Sequence, residues 1–159
     1  MEPYVAVCGP DPASDDGWAN AEAVGRLLAE AGAVVVCGGH GGVMEAAAKG
    51  ASSAGGLVIG ILPGLDRAEG NPYLTIAIAT GLGELRNGLI VRAADALIAI
   101  GGAFGTLSEI ALALKTGVPV VGFGTWELAR DGMPVEPDPI ARADTPADAV
   151  TTALRLARP

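Results

Sequence analysis

Aromatic residues are scarce in this chain, since Phe, Tyr and Trp together supply only 4% of its 159 residues. Half of the residues are nevertheless hydrophobic, and 24 are glycines. Small aliphatic side chains with frequent glycines are typical of tightly layered helices and strands, so an all-β sandwich is disfavoured. The length fits one domain over residues 1–159 with a single substantial core.

Positive charge is also scarce, because ten Lys and Arg stand against 18 Asp and Glu, which gives a net charge of -8. Proteins that bind nucleic acids normally present a basic face. We therefore expect no nucleic-acid partner. An anionic ligand would have to be held by backbone N–H groups and a few well-placed cations.

Residues that bind metals are few, with two cysteines, Cys8 and Cys37, and a single histidine, His40. No CxxC or Cys/His spacing is present, so we expect no metal site. Both cysteines end predicted strands. They are interpreted as buried, reduced thiols, or as thiols close to each other if the two strands are neighbours.

Long apolar runs are absent, since none reaches the roughly 18–20 residues that cross a bilayer. The first residues, MEPYVAVCG, show neither a basic leader nor a long apolar segment, so no signal peptide is predicted. We therefore expect a cytoplasmic protein without a membrane partner.

Short apolar runs alternate with segments of helical spacing along the chain. Strands are predicted at 4–8, 33–37, 57–62, 74–79, 96–100 and 118–123. Helices are predicted at 18–31, 42–54, 82–94, 107–116 and 146–157, with a loop at 66–72 and an irregular surface segment at 125–145. Continuously apolar strands joined by helices form a parallel sheet covered on both faces. The predicted fold is α/β, with three layers, a doubly wound, mostly parallel sheet and helices on both faces.

A glycine-rich turn follows the predicted strand 96–100 and leads directly into a helix. Gly101, Gly102 and Gly105 allow positive φ and a close approach of the backbone to an anion. The free N–H groups and the positive dipole end of the helix favour a phosphate here. Thr106 has two interpretations that stay open, a ligand contact or an ordinary helix N-cap.

A second glycine-rich turn, GGHGG, follows the predicted strand 33–37. It does not fit the dinucleotide-binding pattern GxGxxG, because Met44 and Glu45 occupy the region of the third glycine, and no GK[ST] of a Walker A loop follows. A dehydrogenase and a P-loop NTPase are therefore disfavoured. The turn is a second anion-binding bend or only a tight connection. His40 within it contacts a ligand or faces solvent.

Two charged residues near the turns are candidates for chemistry. Arg86 lies near the start of a predicted helix, where the dipole disfavours a cation, so it serves an anion or is a solvated surface residue. Glu109 stabilises a developing oxocarbenium ion or orients water, or it completes a Thr-x-x-Glu capping box with Thr106. Asn87 and Glu84 bond sugar hydroxyls or cap the helix.

The segment IGGAFGTLSE resembles the PGGGxGTxxE signature of the LONELY GUY (LOG) family, and Arg86 matches the arginine upstream of it. The segment GGHGGVMEAAAKGA resembles the first glycine-rich turn of that family. The match spans residues 5–126. It implies a Rossmann-like fold, a homodimer or homotetramer, and hydrolysis of nucleoside 5'-monophosphates to a free base and ribose 5-phosphate.

The same resemblance implies roles for individual residues. Arg86 and Glu109 would form the catalytic pair, and no cofactor would be required. The phosphate and the rest of the ligand would be held by residues of the two turns and of the intervening helix: Gly38, Gly39, Gly41, Gly42, Met44, Asn87, Gly101, Gly102, Gly105 and Thr106.

Four positions depart from the LOG pattern: Ile100 replaces proline, Ala103 replaces glycine, Asn87 replaces lysine, and Glu45 replaces the glycine after methionine. In these features and in its short length the chain is more similar to the molybdenum cofactor carrier-like proteins, which bind a phosphorylated pterin. We therefore predict a protein that binds a nucleotide monophosphate, phosphate or molybdenum cofactor, with hydrolysis as the alternative. A third reading is an α/β domain whose glycines only form turns.

Overall fold

Seven strands form one sheet in the computed structural model, which describes residues 1–157, and every neighbouring pair in this sheet is parallel. The first six are β1 (Tyr4–Cys8), β2 (Val34–Cys37), β3 (Val58–Leu62), β4 (Ile76–Ala79), β5 (Ala96–Ile100) and β6 (Val120–Phe123). A separate antiparallel hairpin follows, formed by β7 (Ala129–Arg130) and β8 (Met133–Pro134), and β9 (Ile140–Arg142) completes the main sheet.

Five helices connect or follow these strands. They are α1 (Asp15–Glu30), α2 (Val43–Ser53), α3 (Asn87–Ala93), α4 (Phe104–Thr116) and α5 (Pro146–Leu156), with short 3-10 turns at Arg67–Glu69 and Gly83–Arg86. Helices α1, α2 and α5 bury their apolar faces on one side of the sheet, and α3 and α4 cover the other side. The predicted three-layer, doubly wound, Rossmann-like α/β fold is confirmed.

The strand order, β4-β3-β2-β1-β5-β6-β9, determines where a ligand can lie. The chain begins at the centre with β1, runs outward to β4, and then returns to the other side of β1 as β5. The connections that leave β1 and β5 therefore diverge from each other. In open α/β sheets such a switch point leaves a crevice beyond the carboxyl ends of the strands.

Two helices begin earlier than the sequence predicts, because residues outside their apolar faces complete the first turn. Helix α1 begins at Asp15, where Ser14 acts as N-cap and its Oγ accepts a hydrogen bond from Gly17 N at 3.0 Å. Helix α4 begins at Phe104 with Ala103 as N-cap. Thr106 therefore lies inside the helix, and the predicted capping box of Thr106 with Glu109 is wrong.

The segment 125–145 is more ordered than the irregular segment predicted for it. It contains the β7–β8 hairpin and strand β9, which pairs with β6 in the register Val120 with Ile140. Strand β9 has only three residues at the edge of the sheet, and only Ile140 among them is buried. A strand of three residues is too short for its sequence to show an alternation of apolar and polar residues.

Cys8 and Cys37 end the neighbouring strands β1 and β2 but face opposite sides of the sheet. Cys8 packs with Ala6 and Val36 on the side of α3 and α4, whereas Cys37 packs with Val35 on the other side. Successive side chains of a strand point to alternate faces of the sheet. The two cysteines are one residue out of register with each other, so their side chains lie on opposite faces. Both are free and buried, as predicted, and their thiols lie on opposite faces of the sheet.

None of the helices within residues 1–157 combines the length and the apolar character needed to cross a bilayer. The same residues contain no cluster of three His, Cys, Asp or Glu side chains close enough to hold a metal ion.

Candidate functional site

A cavity of about 320 Å³ opens at the carboxyl edge of the sheet, beside the switch point between β1 and β5. Every element that ends or begins at this edge near the switch point contributes to its lining. The lining residues are Cys8, Gly9, Pro10, Asp11, His40, Met44, Pro63, Glu84, Arg86, Asn87, Ala103, Gly105, Thr106 and Glu109.

The N-terminus of α4 forms one wall of the cavity through Ala103, Gly105 and Thr106. Ala103 is the N-cap and has no side-chain oxygen to bond the first N–H groups of the helix. Those N–H groups lack partners within the helix and carry its positive dipole end. This wall therefore has the properties of an anion-binding helix N-terminus.

Two buried polar atoms that belong to lining residues have no hydrogen-bond partner within residues 1–157. They are Thr106 Oγ1, on a residue only 2% exposed, and Arg86 Nε. A buried polar group without a partner costs roughly 1–3 kcal/mol. Native structures rarely contain such groups without a reason, and a ligand is one such reason.

Among residues 1–157, Arg86 is the lining residue of this cavity that carries a permanent positive charge. It lies at the end of the 3-10 turn Gly83–Arg86, directly before α3. Its Nη1 donates a hydrogen bond to Asn87 Oδ1 at 2.6 Å. Burial lowers the pKa of Arg86, and nearby Glu109 acts in the opposite direction. Its guanidinium remains protonated because the ordinary pKa of arginine is so high.

Glu109 lies opposite the strand ends and is only 6% exposed. Burial raises the pKa of Glu109 from 4.5 to about 7, although Arg86 and the Cys8 thiol lower it. Burial and the neighbouring Glu109 also raise the pKa of Cys8. No ion pair within 4.0 Å joins Arg86 to Glu109 among the described residues. Burial therefore leaves a substantial share of the Glu109 carboxyl protonated at neutral pH.

The turn after β2 supports the cavity mainly through close packing. A side chain at Gly38 would overlap the Arg86 guanidinium and the sulfur of Met44, so glycine there leaves room for both. Gly42 has a φ of +65° and packs against the backbone of Pro10 and Asp11.

The remaining glycines of the predicted site differ in their surroundings. Gly39 packs on Leu62, and Gly41 lies against the Asp11 carboxylate. Gly101 donates its N–H to Phe123 O at 3.2 Å, and Gly102 lies against the indole of Trp126. The cavity lining thus brings together Arg86, Glu109, Met44, Asn87, Gly105 and Thr106, but not the glycines at 38, 39, 41, 42, 101 and 102.

Sequence reasoning missed several lining residues, among them Cys8, Asp11 and Pro63. Their positions could have indicated them, because each lies at or just after the carboxyl end of a buried strand.

Trp126 was also not predicted to support the site. Its Nε1 donates to Ala103 O at 3.1 Å, and its ring stacks on Phe104 with centroids 5.8 Å apart. These contacts support the start of α4.

A second cavity of about 560 Å³ adjoins the first and shares Asp11 and His40 with it. The carboxylates of Asp11, Glu45 and Glu69 line it. Asn71 fixes the loop over this cavity, because its Nδ2 donates to His40 O at 3.0 Å and to Gly39 O at 3.2 Å. Asp11, Glu84 and Glu109 place carboxyl groups in the first cavity as well, so what distinguishes it from the second is the guanidinium of Arg86.

The fold and these cavities define a Rossmann-like domain with a preformed pocket for a small ligand at its switch point. The chain belongs to the SLOG cluster4 family, whose model matches residues 2–150. This result confirms the predicted resemblance to LOG and molybdenum cofactor carrier-like proteins.

Several solved structures resemble nearly the whole chain. The molybdenum cofactor binding protein of Rippkaea orientalis is 36% identical with a TM-score of 0.90, and the match covers 98% of each chain. The molybdenum cofactor carrier protein of Chlamydomonas reinhardtii is 31% identical with a TM-score of 0.84 over 98% of each chain. An uncharacterised protein of Archaeoglobus fulgidus is 50% identical over 113 residues, which are 71% of this chain and 74% of that protein.

Proposed function

We propose that this protein binds a phosphorylated small molecule in the cavity beside β1 and β5, with molybdenum cofactor, a phosphorylated pterin, as the first candidate. The observation that carries the proposal is the pair of unpartnered buried atoms, Thr106 Oγ1 and Arg86 Nε, on residues that line one cavity. A phosphoryl group offers acceptor oxygens to both atoms. It would also lie at the N-terminus of α4, where a negative charge is favoured.

The charge of Glu109 is compatible with such a ligand, because its pKa of about 7 leaves much of the carboxyl neutral at neutral pH. A bound phosphate would favour the protonated form further, since two adjacent negative charges repel. The net attraction of Arg86 for the ligand is then retained.

The second cavity indicates what the other end of the ligand presents. Asp11, Glu45 and Glu69 supply acceptor oxygens and negative charge around it. A head group rich in N–H donors fits this lining, whereas a further phosphate would be repelled. We therefore expect a monophosphate with a pterin or purine head rather than a polyphosphate or a dinucleotide.

The similar solved structures support a pterin as the head group of the ligand. The proteins of Rippkaea orientalis and Chlamydomonas reinhardtii are described as binding or carrying molybdenum cofactor, and each matches nearly the full length of this chain. These full-length matches favour the same class of ligand for this chain.

The test measures dissociation constants by calorimetry for a pterin monophosphate, AMP, GMP and ADP. We expect the pterin monophosphate to bind best and ADP to bind worst. Thr106→Val should weaken monophosphate binding roughly tenfold or more, because a hydrogen bond to a charged group is lost. Thr116→Val, at the far end of the same helix, should leave affinity unchanged. Equal effects of the two variants, or no binding of any monophosphate, would refute the proposal.

A second candidate function is the phosphoribohydrolase reaction, which is favoured by Glu109 and Arg86 lining one cavity. Water would attack C1', the bond from C1' to the base nitrogen would break, and the base would leave with a proton. A pKa near 7 suits proton transfer, but stabilising an oxocarbenium ion requires an ionised carboxylate. We therefore favour binding without turnover. Release of free base from AMP that Glu109→Gln abolishes would reverse this preference.

We also propose that two copies associate through an apolar surface formed by Leu85, Leu89, Phe104 and Leu112. Leu85 is 80% exposed and Phe104 is 82% exposed. Leu85, Phe104 and Leu112 border a groove of about 540 Å³ that shares Glu84, Asn87 and Gly105 with the ligand cavity. Copies of a chain with net charge -8 repel each other at long range, so they can meet at a face that is mostly apolar and carries little charge.

A further inference from the structure

Asn87 has both ends of its side-chain amide engaged within the protein. Its Oδ1 accepts from Arg86 Nη1 at 2.6 Å, and its Nδ2 donates to Ser108 Oγ at 3.0 Å. Ser108 Oγ in turn donates to Gly105 O at 2.7 Å. The residue itself is only 8% exposed. Because arginine can only donate, the oxygen of the amide has to face Arg86.

This chain of hydrogen bonds joins the two walls of the cavity. Arg86 and Asn87 belong to the start of α3, whereas Gly105 and Ser108 belong to the first turns of α4. The unpartnered Thr106 lies between those two α4 residues. The position of the Arg86 guanidinium relative to Thr106 is therefore determined through Asn87 and Ser108.

The chemistry of the partner also matters for Arg86. A guanidinium is planar, so a hydrogen bond at one nitrogen, together with the close approach of Gly38, restricts the orientation of the whole group. An amide is neutral and leaves the positive charge of Arg86 uncompensated. A carboxylate in the same place would orient the guanidinium but also cancel much of its attraction for an anion.

We infer that Asn87 is a positioning residue, which orients Arg86 for the ligand and ties it to α4 through Ser108 without itself contacting the ligand. This inference rests on the proposed phosphate site. It replaces the sequence-based prediction that Asn87 is a ligand contact, and it adds Ser108 to the functional residues.

The test is a double-mutant cycle with the affinity for inorganic phosphate and for AMP as readout. Asn87→Ala should weaken binding roughly two- to tenfold in the wild-type background, the effect of one lost hydrogen bond. In the Arg86→Ala background it should have no further effect, because Asn87 acts only through Arg86. Asn20→Ala, an equivalent substitution on α1, should change neither affinity.

Each outcome has a separate meaning. If Asn87→Ala weakens binding by the same factor in both backgrounds, Asn87 contacts the ligand directly and the inference is wrong; it is also wrong if Asn87→Ala has no effect. If Arg86→Ala itself leaves phosphate binding unchanged, the proposed function fails instead. Should Asn87→Ala not fold, Ser108→Ala decides the same cycle, with an expected loss of two- to fivefold that vanishes without Arg86.

Discussion

Replacing Glu109 with glutamine should stabilise the protein at alkaline pH but not at acidic pH. In the folded state the pKa of Glu109 is about 7, against 4.5 for the unperturbed group. Between these two values the folded state binds more protons than the unfolded state, so stability falls as pH rises. Above pH 7 the full cost of ionising a buried carboxyl is present.

The size of the effect follows from the shift. A difference of about 2.5 pKa units corresponds to about 3 kcal/mol at 1.36 kcal/mol per unit. Glu109→Gln keeps the shape of the side chain and removes its charge. The variant should therefore exceed the wild type by up to about 3 kcal/mol at pH 8, and the difference should shrink towards zero by about pH 4.

Urea denaturation of both proteins at pH 5 and pH 8 measures this difference, and other titrating groups cancel in the comparison. Glu30→Gln is the matched control, because Glu30 is an exposed residue of α1 that forms a surface ion pair with Arg26. Its effect should stay within about 0.5 kcal/mol at both pH values. A Glu109→Gln difference that is the same at pH 5 and pH 8, or that favours the wild type at pH 8, would refute the reasoning.

Three further predictions concern ligand binding and association. Gly38→Ala should weaken phosphate binding at least tenfold in calorimetry, because the added Cβ overlaps the Arg86 guanidinium. Sulfate keeps its charge between pH 6 and pH 8, whereas Glu109 becomes more ionised over this range. The wild type should therefore bind sulfate more weakly at pH 8 than at pH 6, and Glu109→Gln should bind it equally at both pH values. A wild-type affinity for sulfate that does not change between the two pH values would contradict this. Leu85→Glu should yield a monomer in light scattering where the wild type is a dimer, and Leu57→Glu, on another exposed leucine, should not.

The sequence predicts the sheet well because buried parallel strands are continuously apolar. The predicted strands 4–8 and 96–100 coincide with β1 and β5, and glycines mark their carboxyl ends. The glycines indicate the edge of the sheet at which the cavity lies, whereas the switch point follows from the strand order in the structure. The start of α4 was missed because Phe104 is exposed and therefore lies off the apolar face that reveals a helix.

The roles of single residues depended on contacts between distant parts of the chain. The reason for glycine at position 102 is Trp126, which lies well beyond the signature. The role of Asn87 depends on Ser108, 21 residues later. Such pairs arise from the packing of α3 against α4 and of the 126 region against the turn, and no local pattern records them.

The proposed site requires an acidic protein to attract an anion through a few local positive groups. Arg86 and the N-terminus of α4 line the first cavity together with Asp11, Glu84 and Glu109, whereas the second cavity has the carboxylates of Asp11, Glu45 and Glu69 in its lining. At long range the net charge of -8 repels any phosphate. At short range the half-buried guanidinium of Arg86 acts in a medium of lower dielectric constant than water, where its attraction exceeds that screened repulsion. The proposed ligand should therefore place its phosphate beside Arg86 and the start of α4, because in the reverse orientation the phosphate would lie among the carboxylates of the second cavity without Arg86 beside it.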